Sequence, residues 1–368
     1  MPKAQGTVLE IDLKALKHNV EFLKSRLQPN TKFLAVVKAF AYGSDSVEVA
    51  KYLEELHVDY FAVAYVSEGV VLREAGITTP ILVLHPLPES FETIIEHCLE
   101  PSLYSHRVLE AFLAVAESKK QTEYPIHLKF NTGLNRLGFS ETDIPKVIST
   151  LQDAKAIKVS SLFSHLAASE DLSEKEFTLQ QIEQFKKIAS ATTKGLGYTP
   201  MLHQCNTSGI LNYPMAHFDM VRSGIGMHGH GNDPKYNSHL KPIATLKTTI
   251  SQIHLLKKGD SLGYNRALIA TKALRTATLP IGHADGITRA YGNRKGYVII
   301  NNQKAPIIGN VCMDMIMVDV TEIDCNEGDE VIIFGKEYTA EQFSETINSI
   351  SYEILPAISQ RVKRVFQR

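Results

Sequence analysis

The run Phe33-Leu34-Ala35-Val36-Val37, the stretch Ser46-Val47-Glu48-Val49-Ala50-Lys51-Tyr52-Leu53-Glu54-Glu55-Leu56 and the run Tyr60-Phe61-Ala62-Val63-Ala64 read in order as strand, helix, strand. Short β-branched and apolar runs suit buried strands, and the middle stretch has its apolar residues at helical spacing behind a serine able to cap the first turn. Working outward, the same rhythm continues with strand-like segments at 81–84, 100–103, 126–130, 159–164, 201–205 and 218–221. Helix candidates fall at 67–75, 105–118 and 173–191, several again opening on serine. Such spacing predicts parallel strands joined by helical crossovers.

Eight such units make a (β/α)8 TIM-type barrel of ~250 residues, which takes the chain from residue 1 to about 240. The rival is an open doubly wound sheet. The barrel is preferred because no glycine-rich dinucleotide fingerprint follows the first strands. In addition, Lys38, His85, Lys129, His165, Asn206 and Arg222 sit just beyond, or at the ends of, many different strands. Only in a barrel do all those ends converge on one mouth. After residue 240 the rhythm changes to alternating stretches at 248–256, 275–280, 297–301, 305–319 and 330–334, separated by turns containing Gly259-Asp260, Asn301-Asn302 and Gly328-Asp329. The expectation is α/β plus β: the barrel, then a mostly-β C-terminal domain over 241–368. Residues 1–12, of which 6–12 read as a strand, join either the barrel or the β domain.

The 368 residues carry 39 basic and 40 acidic side chains, for a formal net charge of −1. No broad basic field invites nucleic acid or a membrane surface, so a small substrate is expected. Apolar runs such as 61–65 and 81–84 fall far short of the ~18 residues of a membrane span, and the first residues lack an apolar signal core. Cys98, Cys205, Cys312 and Cys325 form no CxxC pair and no His/Cys cluster, which points to a reducing, cytoplasmic setting and no metal site.

The first chemical motif is Ala35-Val36-Val37-Lys38-Ala39-Phe40-Ala41-Tyr42-Gly43. A lysine between an apolar strand and a glycine-containing turn is partly desolvated, loses its proton more readily, and as a neutral amine can form a Schiff base. Taken alone, it reads first as a lysine reaching round the strand end into water. Further short motifs follow: Lys129-Phe130-Asn131-Thr132-Gly133-Leu134-Asn135-Arg136-Leu137-Gly138, Phe163-Ser164-His165-Leu166-Ala167, Asn206-Thr207-Ser208-Gly209, Arg222-Ser223-Gly224-Ile225, Gly263-Tyr264, Ala284-Asp285-Gly286, Val311-Cys312-Met313-Asp314 and Tyr352-Glu353-Ile354-Leu355.

In this order, the series resembles the bacterial alanine racemases, which carry pyridoxal 5'-phosphate on the lysine of an A-V-V-K-A-x-A-Y-G motif. The resemblance implies a homodimer with shared active sites, alanine as substrate, and D-alanine supplied for peptidoglycan. It makes Lys38 and Tyr264 the two acid/base groups that work on opposite faces of Cα. A tyrosine has the harder task, because a phenol needs cationic or hydrogen-bonding neighbours to act as a base near neutral pH. The resemblance supplies them through His165, which contacts Arg222. Arg222 faces the pyridine nitrogen and, being always protonated, disfavours protonation of the ring. That makes the ring a poorer electron sink and limits side reactions. Tyr42, Thr207, the amides of Gly224 and Ile225, and Tyr352 take the phosphate. Arg136 and the Met313 amide take the substrate carboxylate, for which a guanidinium suits a bidentate bond. Lys129 matches a lysine that often carries a carbamate, with an unmodified strand lysine as the other reading. Singly, Arg222 reads as an ion-pair partner, His165 as a core histidine, the tyrosines as core and Gly224 as a turn residue.

Several positions depart from the family pattern. Phe40 stands for asparagine, Ser44 for histidine, Asn131 for aspartate, His228 for tyrosine before Gly229, and His283 for the tyrosine of Y-A-D-G. These bear on substrate choice, which leaves open a racemase of serine or another small amino acid. A pyridoxal-phosphate-dependent decarboxylase of the same fold is a weaker alternative, and a non-catalytic cofactor carrier a third.

Overall fold

The structure, a computed structural model, describes residues 6–231 and 233–368. The chain enters on strand β1 (Val8–Asp12), and Asp12 caps the following helix, Leu13–Ser25, by accepting the Ala15 N–H at 2.9 Å. Strands β2 (Lys32–Val36), β3 (Tyr60–Val63), β4 (Ile81–Val83), β5 (Glu100–Leu103), β6 (Tyr124–Lys129), β7 (Ile157–Phe163), β8 (Met201–His203) and β9 (Met220–Ser223) then pair in parallel, each with the next. The register Leu34↔Tyr60 joins β2 to β3, and Lys32↔Met220 joins β9 back to β2. The barrel is therefore closed, as expected. Phe33, Leu34, Ala35, Phe61, Ala62, Val63, Ile81, Leu82 and Val83 are all but fully buried, because these strands pack on both faces.

The helices fall where the periodicity put them, yet their caps differ from expectation. Only Ser105 acts as the capping serine, its hydroxyl accepting from Val108 N–H. Helix Ser46–Glu55 is capped by Asp45, and Glu68 folds back on the start of helix Val66–Glu74. The segment predicted to open at Ser173 begins with a 3-10 turn, capped by Asp171, before helix Lys175–Leu196. A carboxylate accepts more strongly than a hydroxyl, so a nearby acid displaces the serine from this role.

Beyond the barrel come β10 (Ala244–Thr249), β11 (Gln252–Leu256), β12 (Ser261–Leu262), β13 (Leu268–Ile269), β14 (Leu274–Leu279), β15 (Tyr297–Ile300), β16 (Gln303–Ile308), β17 (Ile316–Asp319), β18 (Glu330–Phe334) and β19 (Lys363–Gln367). They form a nine-stranded sheet in the order β11-β14-β17-β16-β15-β18-β10-β1-β19, with β12 and β13 a separate ribbon. Strand β1 pairs antiparallel with β10 and parallel with β19, so 8–12 lie in the β sheet and not in the barrel wall. Residues 1–5 lie outside the described residues. Two stretches read as continuous are each two strands. The stretch 248–256 turns between β10 and β11. The stretch 305–319 breaks after β16, where Gly309 sits at φ 67 and starts the loop carrying Met313.

Candidate active site

Lys38 follows β2 at the mouth of the barrel, and what comes next is a left-handed turn. Ala39, Phe40, Ala41 and Tyr42 have φ of 52, 56, 49 and 52° before Gly43 at 84°. Each non-glycine residue in that region costs about 1 kcal/mol or more. The turn persists because its amides are held: Ala41 N–H donates to Val37 O, Gly43 N–H to Ala39 O, and Ala39 N–H to a Glu68 carboxylate oxygen at 2.6 Å. The same carboxylate accepts from Ala64 N–H at 2.7 Å and Tyr65 N–H at 3.1 Å, tying the ends of two neighbouring βα units together. A Cβ on Gly43 would come 2.1 Å from the Leu355 carbonyl oxygen, so that position demands glycine. Strain held in place by its surroundings in this way gathers at functional sites.

One cavity of about 640 Å³ collects the strand-end residues: Lys38, His85, Lys129, His165, Asn206 and Arg222 all line it. So do Tyr42, Arg136, Thr207, Gly224, Ile225 and Tyr352. At one end, Gly224 lets its backbone approach Tyr42, since a Cβ there would stand 2.1 Å from the Tyr42 hydroxyl. The Thr207 hydroxyl lies 3.0 Å from that of Ser223 and accepts Gly226 N–H. The N–H groups of Gly224 and Ile225 donate to no acceptor among the described residues, although both residues are buried. Two orphan amides beside two hydroxyls and the Tyr352 ring form a cradle for an anion such as a phosphate. The residues present thus fit a phosphorylated cofactor.

At the other end Arg222 is buried, and its guanidinium donates to Ser164 O at 2.7 Å, Gln204 O at 2.9 Å and His203 Nδ1 at 2.6 Å. It also lies 3.2 Å from His165 Nδ1. Burial lowers its pKa to about 10, still well above neutral, so it stays a cation. Burial first, and Arg222 next, hold His165 well below the usual histidine range, which leaves it neutral. With Nδ1 turned to a donor, the His165 proton sits on Nε2.

Lys38 is pushed below the ordinary lysine value by burial and then by the Arg136 charge, with Glu68 opposing. Lys129 falls further, to about 8, through burial and the charges of Arg136, Arg222 and Lys38. No carboxylate pairs with Lys129 among the described residues, and its Nζ lies 5.7 Å from the Phe163 ring centroid. Asn131 is turned into its own loop, where its carbonyl accepts from Gly133 and Asn135 N–H.

Tyr264 and Met313 are not in this cavity. They line a second one of about 710 Å³ on the β domain, with Leu256, Gly263, Met315 and Met317. Tyr264 rides the tip between β12 and β13 and is 72% exposed, and Met313 is 60% exposed. The turn carrying His283 holds the Met313 loop: His283 N–H donates to Cys312 O and Ala284 N–H to Met313 O. The Met313 N–H itself donates to nothing among the described residues. One chain therefore brings together ten of the twelve candidate residues and leaves two on a separate apolar surface. Glu68 and the buried polar residues Glu100, His127, Ser161 and His203 escape the sequence reading, since none belongs to a recognisable motif.

Family comparisons agree with this geometry. The model described as alanine racemase, N-terminal domain, matches residues 11–232, and that described as alanine racemase, C-terminal domain, matches 243–366. An alanine racemase of Thermodesulfovibrio yellowstonii is 36% identical over 366 residues, covering 97% of this chain and 96% of that protein. The alanine racemase of Clostridium difficile 630 superposes with a TM-score of 0.92 at 34% identity, covering 99% of this chain and 96% of that one. A Bartonella henselae alanine racemase with covalently bound pyridoxal phosphate superposes at 0.91 with 28% identity, over 99% of this chain and all of that one. Full-length similarity in sequence and fold, with a phosphate cradle and a desolvated lysine in one barrel mouth, means that this chain belongs to the alanine racemase family.

Proposed function

We propose that this chain interconverts L- and D-alanine with pyridoxal 5'-phosphate, working as a homodimer in which each barrel mouth is completed by the partner's Tyr264 and Met313. The observation that carries the reading is the division of the site. Lys38 sits in a cavity lined by polar side chains, while Tyr264 and Met313 are exposed on an apolar surface that none of the described residues covers. Residues to about 240, with 241–368 as the β unit, are the two working parts in this reading.

Tyr42, Thr207, the amides of Gly224 and Ile225, and Tyr352 would hold the phosphate, Arg222 would face the ring nitrogen, and the Lys38 amine would be the point of attachment until substrate frees it. Bound there, the cofactor withdraws electron density from Cα and so weakens its C–H bond. Lys38, depressed by burial, alternates between amine and ammonium and moves a proton on one face of Cα. The partner's Tyr264 moves a proton on the other. Nε2–H of His165 donates to that phenol oxygen and favours the phenolate. Arg222 would donate a hydrogen bond to the ring nitrogen and, with a pKa of about 10, hold its own proton, which would keep the ring unprotonated. Arg136 and the Met313 amide orient the substrate carboxylate. Lys129, with no carboxylate partner among the described residues and a lowered pKa, is suited to carry a carbamate that would neutralise the field of Arg136. The D-alanine supplies peptidoglycan if the source is bacterial. A cytoplasmic location fits four cysteines that are all free, and no helix among the described residues is long and apolar enough to cross a membrane.

Cofactor-loaded protein in deuterated water with L-alanine tests this. Deuterium at Cα together with the D-isomer is expected. Carbon dioxide release, or a preference for serine, would contradict the reading.

A further inference from the structure

Arg222 is a buried cation with no carboxylate beside it. Among the described residues it makes no ion pair, and its partners are carbonyls and imidazoles. One of these contacts begins a chain. His203 Nε2 lies 2.8 Å from Ser161 Oγ, Ser161 Oγ lies 2.6 Å from His127 Nδ1, and His127 Nε2 lies 2.6 Å from a Glu100 carboxylate oxygen. His127, Ser161 and His203 are fully buried, and Glu100 nearly so. The line crosses five consecutive strands, β9, β8, β7, β6 and β5, through the inside of the barrel, with His127 directly opposite Ser161.

The directions follow from the two ends. A guanidinium only donates, so His203 Nδ1 accepts and its proton lies on Nε2. A carboxylate only accepts, so His127 donates from Nε2 and its Nδ1 accepts from the Ser161 hydroxyl, which takes the His203 proton's bond in turn. Every link then points from Arg222 to Glu100, His203 is neutral and no donor is wasted. Burial and the Arg222 charge hold His203 well below the usual histidine range, consistent with that state. Aligned bonds of this kind polarise one another. Glu100 also accepts from the Tyr60 hydroxyl and lies near the Arg73 guanidinium, so its carboxylate is held in place.

We propose that Glu100 is the remote counter-charge of Arg222, and that His127, Ser161 and His203 are positioning residues that hold the guanidinium in place through this line. The consequence for the reaction rests on the reading above, in which Arg222 faces the ring nitrogen.

The test compares wild type, Glu100→Gln, Ser161→Ala and the double variant as full-length, cofactor-loaded protein with labelled histidine. Glu100→Gln keeps an acceptor for His127 and removes the charge. Its imidazole N–H resonances are expected to shift at both His127 and His203, although His203 does not touch Glu100. The expected kcat is about tenfold lower, with KM within about twofold. Ser161→Ala removes the middle link, so adding Glu100→Gln to it is expected to shift His127 alone. A Glu100→Gln protein in which His127 shifts and His203 stays overturns the proposal, as does coupling that survives Ser161→Ala. Shifts at both histidines with unchanged kcat support the line and count instead against Arg222 facing the ring nitrogen.

Discussion

Gly224→Ala tests the phosphate cradle where its geometry is tightest. The added Cβ would stand 2.1 Å from the Tyr42 hydroxyl oxygen, 2.7 Å from its Cζ and 3.0 Å from Cε2. Carbon and oxygen rest at about 3.4 Å or more, so the phenol has to move by more than 1 Å. It is buried, with His228 4.9 Å away and Tyr352 6.3 Å away between ring centroids, and it cannot swing aside freely. Forced repacking costs about 2 kcal/mol, and the lost hydroxyl contact to a charged phosphate costs about 2 more. Cofactor affinity should fall by roughly 10³-fold, measured by equilibrium dialysis against pyridoxal phosphate. Tyr42→Phe alone, losing only the hydroxyl contact, should cost roughly 30-fold. Combined, the two changes should bind better than Gly224→Ala by itself, because removing the hydroxyl removes the worst overlap. Wild-type affinity in Gly224→Ala, or losses that simply multiply in the double variant, would refute the reasoning.

Lys38→Ala is expected to abolish the borohydride-reducible cofactor adduct, read by mass spectrometry of peptides; an adduct retained on another lysine would reassign the site. Lys129, lowered from 10.5 to about 8 in the folded chain, binds fewer protons folded than unfolded between those values. Any unmodified protein should therefore gain stability as pH rises from about 8 to about 10.5, and Lys129→Met should flatten that rise in urea titrations. Bicarbonate should add the mass of one carbon dioxide at Lys129, and Lys129→Arg should abolish the increment. Glu68→Ala removes the acceptor of three backbone amides and the support of the left-handed turn. It should destabilise the chain by about 3 kcal/mol in chemical denaturation and lower the Lys38 pKa further, since Glu68 opposes that shift.

The barrel was legible because its strands are short, mostly buried runs and six of the eight carry a conspicuous polar residue at or just beyond their ends, from Lys38 after β2 to Arg222 in β9. The phosphate cradle was legible only through motif likeness, since nothing in Arg222-Ser223-Gly224-Ile225 alone says that two amides are left unpaired. Glu68 was hidden because a glutamate near a helix start looks like an ordinary first-turn acid, whereas here it reaches back across a loop to Ala39. His127 and Ser161 lie within strands and His203 ends one, and alternation there reports burial and cannot report which polar atoms meet. The left-handed turn at 39–42 was hidden for a different reason: none of its residues is glycine or asparagine, and contacts made by Glu68 and Val37 override their intrinsic preference. The break after β16 depended on Gly309 alone.

Subunit complementation tests the central claim, that an amine from one chain and a phenol from its partner act on one carbon. Lys38→Ala and Tyr264→Phe chains, each inactive as purified, are mixed and allowed to exchange, with heterodimers confirmed by differential tagging. Random exchange makes half the dimers mixed, each with one intact site, so about a quarter of wild-type racemase activity should return. Verified heterodimers with no recovered activity would contradict the account.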